Sequence, residues 1–222
     1  MDLAKRSLLA AAIAAIVVPA FAADMTPSRA KYEVKIERTW SQATHPIDWP
    51  GDGAHFSPGI GATHNGKYKM FAEGGTATPG LETISQRGKT SPFDKEIDSA
   101  KKAGDVGAVF TFDPVKTVGG MTTATFEATD TYHAVSLAAM VAPSPDWFTG
   151  LSNFELKPNG KWIDGDTVKI YAWDSGTNNA TTYKASKIAA NPFVPISLNS
   201  APMFVKGGEK VPVATLTIRR VE

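Results

Sequence analysis

The feature that most constrains the fold is an apolar run that stops abruptly at two prolines. Residues Val135 to Val141 have the length and composition of a buried strand rather than a helix, because prolines and no helix cap follow them. Pro143-Ser144-Pro145 stiffens the backbone and removes two amide donors, so Asp146 is presented from a rigid loop. We expect Trp147 and Phe148 to return the chain to the core. Asp146 either binds a cation or caps a turn.

A second predicted strand also ends in oxygen ligands. Val168 to Trp173 alternates apolar and polar residues and leads directly into Asp174-Ser175-Gly176-Thr177-Asn178. Hard cations such as Ca²⁺ prefer carboxylate and carbonyl oxygens supplied by loops of this kind. If the two loops lie close together, Asp146 and Asp174 would repel each other without a cation or a basic partner between them. The alternative is that both aspartates only cap turns.

Several stretches, in order along the chain, resemble one known family. Residues Pro143 to Gly150 are similar to the PSPDWF-G signature of the spondin N-terminal domain, an extracellular module, and Asp174 to Asn178 are similar to its D-A-G-T-D loop. Further matches lie upstream, at Phe56-Ser57-Pro58, at Thr63-His64 and between Glu73 and Gly88. The resemblance covers nearly the whole chain after its first residues.

The resemblance implies a C2-like antiparallel β-sandwich with calcium bound by loops at one end. By position, the family's calcium-binding aspartates correspond to Asp146, Asp174 and Asn178 of this chain. Asn178 departs from the pattern: its side-chain carbonyl can still bind calcium, but one negative charge is lost. We therefore expect weak affinity, on the order of 10⁻⁴ to 10⁻³ M.

The start of the chain predicts export. Residues 1–22 contain a basic segment, an apolar segment and Ala20-Phe21-Ala22, the pattern of a secretory signal peptide. Its removal would leave residues 23–222 as one domain with 21 basic and 21 acidic residues, since Asp2, Lys5 and Arg6 are lost. We expect a periplasmic or secreted protein without a transmembrane segment. Near-zero charge makes nucleic acid an unlikely partner class, and the absence of cysteine excludes disulfides and thiolate sites.

The remaining pattern predicts an all-β fold, a sandwich or a barrel, with one or two short helices in an insertion. The helices are expected near 80–86 and after Ser91, which we interpret as an N-cap with Pro92 in the first turn. Residues 41–66 are predicted to form a long functional loop or several short turns, and residues 67–72 a strand. The other expected strands are 31–40, 106–112, 121–128, 132–141, 148–156, 167–173 and 211–221.

Two other functions remain open from the sequence. His45, His55 and His64 lie in one loop-rich segment and, with His133, raise a zinc or copper site or a periplasmic enzyme. Their spacing matches no recognised ligand pattern, and the common hydrolase and phosphate-binding motifs are absent, so we predict a protein that is not an enzyme.

The second alternative is a carbohydrate-binding module that uses exposed tryptophans. Trp49, between Asp48 and Pro50 in the long loop, is the best exposed candidate of five. The preferred hypothesis is a calcium-binding adhesion or ligand-binding module. Its extracellular or periplasmic partner, a protein or a glycan, is not identified by the sequence.

Overall fold

The computed structural model describes residues 28–222, which form two antiparallel sheets packed face to face and a pair of helices on the outer face of the larger sheet. The smaller sheet has the strand order β4-β1-β12-β7. Its strands are β1 (Arg29–Arg38), β4 (Met121–Thr129), β7 (Gly165–Ile170) and β12 (Ala214–Arg220). This arrangement confirms the predicted β-sandwich. The predicted signal peptide, residues 1–22, lies outside the described residues and stays a prediction, as does the domain boundary at residue 23.

The larger sheet has the strand order β3-β2-β5-β6-β8-β9, with every neighbouring pair antiparallel. Its strands are β2 (His55–His64), β3 (Val106–Phe112), β5 (Ala134–Ala142), β6 (Trp147–Glu155), β8 (Ala172–Asp174) and β9 (Ser197–Leu198). A separate two-stranded ribbon joins β10 (Val205–Lys206) to β11 (Glu209–Lys210).

The run is apolar at every position but one because β5 is buried on both faces. Its one polar side chain, Ser136, is buried and hydrogen-bonded to His64. Val135, Leu137 and Val141 belong to the core between the two sheets, whereas Ala138 belongs to a second core beneath the helices. Side chains alternate between the faces of a strand, so a strand between two cores is apolar on both faces except where a polar side chain has a buried hydrogen-bond partner.

The helices that cover the larger sheet are α1 (Pro79–Arg87) and α2 (Phe93–Lys102). Thr78 caps α1 by accepting a hydrogen bond from the Leu81 amide at 3.2 Å. Glu96 of α2 accepts a second one from the Gly80 amide at 2.7 Å. Apolar residues of both helices enter the second core. Within residues 28–222, neither helix has the length and hydropathy that crossing a bilayer requires.

Four local predictions were wrong. Residues 41–66 are not one loop, because they contain β2. Residues 67–72 are not a strand: Met70 and Phe71 are buried in the second core from irregular backbone. Ser91 is not a helix cap, since α2 begins at Phe93 and no side chain caps it. The strand predicted at 167–173 is divided at Tyr171 between the two sheets, where β7 ends and β8 begins.

Candidate functional site: two acidic loops at one end of the sandwich

The turn between β5 and β6 carries Asp146 into the interior. Ser144 stabilises this turn, since its hydroxyl accepts a hydrogen bond from the Trp147 amide at 3.1 Å. Asp146 has no exposed surface, and Trp147 and Phe148 are buried in the first and second cores respectively. The predicted return of the chain to the core is confirmed. Asp146 itself is buried more deeply than a carboxylate in a surface turn.

The loop after β8 surrounds the Asp146 carboxylate. Asp174, the last residue of β8, is the register partner of Trp147 at the start of β6, which brings the two loops together. Asp146 Oδ2 accepts four hydrogen bonds from this loop, two from backbone amides and two from side-chain hydroxyls. The donors are the Ser175 hydroxyl at 3.1 Å, the Thr177 amide at 2.7 Å, the Thr177 hydroxyl at 3.1 Å and the Asn178 amide at 2.9 Å.

The other oxygen, Asp146 Oδ1, is buried and has no hydrogen-bond partner in the described part of the chain. Burial is the largest cause that raises the pKa of Asp146 to about 6, and the negative charge of Asp174 adds to it, while the hydrogen bonds from Thr177 and Ser175 act in the opposite direction. Burying a charged oxygen without a partner is costly. Asp146 Oδ1 is therefore a free acceptor in the interior.

Asp174 is partly exposed and arranges its own turn. Its Oδ1 accepts a hydrogen bond from the Gly176 amide at 2.8 Å. Burial raises the pKa of Asp174, and hydrogen bonds from Gly176 and Trp147 oppose that rise. The two predicted aspartates thus lie close enough for their charges to interact, as the sequence hypothesis required.

Asn178 lies in the same loop, but its side chain is already engaged. It is 6% exposed, and its Oδ1 accepts hydrogen bonds from the Ala180 amide at 3.0 Å and the Ile188 amide at 3.1 Å. Its own amide is one of the donors to Asp146. The three predicted residues are therefore brought together, while their role as calcium ligands stays a prediction. Ser175 and Thr177 were not expected to have a function, although both stand in the D-S-G-T-N loop.

The C-terminal half of α1 braces this loop. The Ser85 hydroxyl lies 3.0 Å from the Ser175 hydroxyl, and Gln86 Nε2 donates to the Thr177 hydroxyl at 3.0 Å. Lys187 Nζ donates to the backbone oxygen of Gln86. Burial lowers the pKa of Lys187, Arg87 adds to that, and Asp146 opposes it, so the Lys187 ammonium lies within electrostatic reach of the buried carboxylate.

The donor set suits a hard cation. Residues 28–222 contain no group of three or more histidine, cysteine, aspartate or glutamate side chains placed to hold a metal ion. A cation at this site would therefore use the two carboxylates together with neutral oxygens of the loops. Asp146 Oδ1, buried and unpartnered, fits such a role.

The histidines do not form a common site. His55 and His64 stand at opposite ends of β2, which places them roughly 30 Å apart at the usual rise per residue. His45 is buried and bonded to the Thr44 hydroxyl at 2.9 Å. The condition that would favour a shared histidine site, mutual proximity, is not met.

His64 lies beside a serine, but the pair is not arranged for catalysis. Its Nε2 is 2.8 Å from the Ser136 hydroxyl, and its Nδ1 accepts a hydrogen bond from the Gly66 amide at 3.2 Å. A neutral ring that accepts at Nδ1 carries its proton at Nε2, so it cannot take a proton from Ser136. Both residues are fully buried. The geometry points to a structural hydrogen bond.

The tryptophans do not form an exposed row. Trp40, Trp147 and Trp162 are buried, and Trp49 and Trp173 are partly exposed. Trp49 packs edge-on against Trp40 with ring centroids 5.2 Å apart. The feature that would favour stacking along a glycan chain is therefore not seen among the described residues.

The two sheets and the two acidic loops that meet at one end define an antiparallel β-sandwich with a polar site built from loops. The Spondin_N family model matches residues 30–203. The chain belongs to this family, the spondin N-terminal domains. The family match supports the extracellular class of module that the sequence predicted.

Individual relatives agree with this assignment. Spondin-2 of Rattus norvegicus and Spondin-2 of Homo sapiens are each 31% identical over 166 residues, which is 73% of this chain and 50% of the relative. Spondin-1 of Xenopus laevis is 29% identical over 207 residues, 86% of this chain and 25% of the relative. The chain thus spans half the length, or less, of these relatives.

Proposed function

We propose that the protein is an exported ligand-binding or adhesion module in which calcium orders the loops at one end of the sandwich. The observation that carries the proposal is Asp146 Oδ1, a buried carboxylate oxygen without a partner, next to the carboxylate of Asp174. Bound calcium would compensate both charges. Asp146 and Asp174 would hold the calcium ion. Asn178 would contribute either its side-chain oxygen or the backbone amide that donates to Asp146.

The ordered loop carries apolar side chains toward solvent. Ile188 is 58% exposed and Val194 is 49% exposed. The Ile188 amide donates to Asn178 Oδ1, and the Val194 amide donates to the Gly176 oxygen at 2.9 Å. Exposed apolar side chains on one loop can contribute to a contact surface when the loop is held in place. In this proposal, calcium fixes the position of both residues and so prepares the surface for a protein or glycan partner.

The test is thermal unfolding of the purified protein in EDTA and across a calcium titration at neutral pH. A ligand that binds only the native state stabilises it by about 2.7 kcal/mol at a hundredfold excess over Kd. We expect a rise in Tm with calcium that is lost in Asp146→Asn and in Asp174→Asn. Asp98→Asn, an exposed carboxylate on α2, is the matched control and should keep the rise. No rise in the parent protein would overturn the proposal.

The EDTA measurement separates a metal site from a structural role. If Lys187 and the hydrogen bonds to Oδ2 compensate the buried charge of Asp146 only in part without calcium, Asp146→Asn should be as stable as the parent in EDTA, or more stable. A purely structural aspartate would instead lose stability in EDTA and in calcium alike. Amide hydrogen exchange gives a second readout, since calcium should slow exchange in residues 176–194 and leave β7 unchanged.

A further inference from the structure

A pocket lies at the same end of the sandwich, beside the Asp146 turn but separate from it. It has a volume of about 540 Å³ and opens between the loop from β1 to β2 and the loop from β3 to β4. Gly53 lies between the lining residues Asp52 and Ala54, and a Cβ on it would lie 4.0 Å from Cδ of Pro143, in the turn that carries Asp146. Its volume is within the range of small-ligand sites and far exceeds the volume of one side chain.

The wall of the pocket contains a buried guanidinium. Arg38 lines the pocket and is 3% exposed. Its Nη1 donates to the backbone oxygen of Ala54 and to that of Lys116, the latter at 3.3 Å. Its Nε is buried without a hydrogen-bond partner. No carboxylate among residues 28–222 forms an ion pair with Arg38.

A buried arginine without a counter-anion is unusual. Burial lowers the pKa of Arg38. The guanidinium lies 5.9 Å from the ring of Trp40, which supplies some compensation through its π face. Backbone oxygens and a ring compensate a charge less completely than an anion does. The N–H groups of Arg38 that have no partner among residues 28–222 are the donors that an acidic ligand would use.

The rest of the wall suits a sugar ring. Trp49 is partly exposed there and is held edge-on by Trp40. Ser41, Gln42 and Thr117 supply polar groups, and Lys116 adds a second basic residue. Asp52, which is exposed, also lines the pocket and opposes an anion. One aromatic ring beside basic and hydroxyl groups can bind a single sugar unit, whereas binding along a chain would need a row of rings.

We propose that this pocket binds an acidic monosaccharide unit, a sugar bearing a carboxylate or a sulfate, with Arg38 as the counter-ion and Trp49 against the ring. The inference rests on the proposed function as a ligand-binding module but not on calcium, because none of the pocket residues is a predicted calcium ligand. The acidic side chain of a peptide would share the charge but has no ring to lie against Trp49.

The test is titration of the purified protein with D-glucuronate and with glucose 6-sulfate, followed by tryptophan fluorescence and calorimetry. Glucose and N-acetyl-aspartate amide serve as the neutral sugar and the acidic peptide analogue. We expect saturable binding of at least one acidic sugar, at least tenfold tighter than glucose or the peptide analogue. Equal binding of glucose, or binding of the peptide analogue alone, would overturn the proposal. Running each titration in EDTA and in calcium separates this pocket from the calcium site.

Lys116 and Asp52 are exposed, so variants of these two residues test the pocket without disturbing the core. Lys116→Ala should weaken binding and Asp52→Asn should strengthen it, each by about threefold to fivefold, the range of a partly exposed charge interaction. Trp49→Ala should abolish the fluorescence response and weaken binding further. Lys206→Ala, an exposed lysine outside the pocket, is the control and should bind like the parent. Weaker binding in Lys116→Ala together with stronger binding in Asp52→Asn is the decisive result. Unchanged binding in both variants would overturn the assignment. Arg38→Met should lose binding if it folds.

Discussion

Thr177 binds Asp146 twice, through its amide at 2.7 Å and through its hydroxyl at 3.1 Å, and both donors meet the same carboxylate oxygen. The loop after β8 is thereby attached to the turn before β6. The arrangement uses one oxygen of Asp146 completely and leaves the other, Oδ1, without a partner. The site is consequently asymmetric: the protein already satisfies Oδ2, whereas Oδ1 is the oxygen to which the proposed cation would bind.

Thr177→Val should destabilise the protein by about 1 to 2 kcal/mol, because it removes a buried hydroxyl that donates to a carboxylate and accepts from Gln86. The amide hydrogen bond to Asp146 remains, so the loop should keep its path. Urea unfolding in EDTA measures the loss. Thr125→Val, at an exposed position of β4, is the control and should change stability by less than about 0.5 kcal/mol. A loss no greater than that of the control would show that the hydroxyl is dispensable.

Asn178→Asp should tighten calcium binding, because it adds a negative charge next to Asp146 and Asp174 while keeping an oxygen that can accept from the Ala180 and Ile188 amides. In EDTA the same change should lower stability, since a third carboxylate then joins the two others. Calorimetric titration and thermal unfolding check the two effects. Unchanged or weaker calcium affinity would count against Asn178 as a ligand position.

The meeting of the two acidic loops could be predicted because each loop follows a strand and carries a recognisable motif. What the sequence could not reveal is how Asp146 is held. Ser175 and Thr177 are small polar residues of a kind found in many turns, and only the three-dimensional path of the loop turns both toward Oδ2. The same holds for Asn178, whose side-chain oxygen is bound by an amide ten residues away.

The strands of the fold, too, could be predicted from the sequence only in part. The apolar run of β5 identified a strand correctly, because burial on both faces leaves a signature in composition. β2 was missed because Pro58, Gly59 and Gly61 have low strand propensity. A Cβ on Gly61 would lie 2.4 Å from the ring of Phe110, so this glycine makes room for an aromatic side chain of β3. Local propensity cannot show a requirement that comes from a neighbouring strand.

Gly150→Ala should strongly destabilise the sandwich. An added Cβ would lie 2.2 Å from the backbone oxygen of Leu137, where β5 and β6 are hydrogen-bonded, and backbone cannot move aside as a flexible side chain can. We expect a loss of about 1 to 3 kcal/mol, the usual cost of overpacking, or failure to fold. Gly53→Ala, whose Cβ would meet only Pro143 at 4.0 Å, is the control for urea unfolding. Similar stability for both variants would contradict the close approach.

Two buried histidines should make the protein sensitive to acid. Burial is the largest cause that lowers the pKa of His45 and of His64, each to about 4, and for His64 the charges of Lys69 and His133 add to it while Glu155 opposes it. Between pH 6.5 and 4 the unfolded chain therefore binds protons at these positions that the folded chain does not. Stability rises with pH wherever the unfolded state binds more protons, so acidification across this window should destabilise the fold.

His45→Gln isolates one of these contributions. The pKa of Asp146, raised to about 6, acts in the opposite direction between pH 4 and 6, because the folded chain then holds a proton that the unfolded chain has lost. Asp146 is present in both proteins, so its contribution cancels when the free energy of unfolding of the variant is subtracted from that of the parent. We expect the parent to lose up to roughly 3 kcal/mol more than His45→Gln between pH 6.5 and 4, the limit for a shift of this size. Urea unfolding across this pH range gives the stability of each protein as a function of pH. Parallel curves would show that His45 takes up its proton in the folded protein as readily as in the unfolded chain.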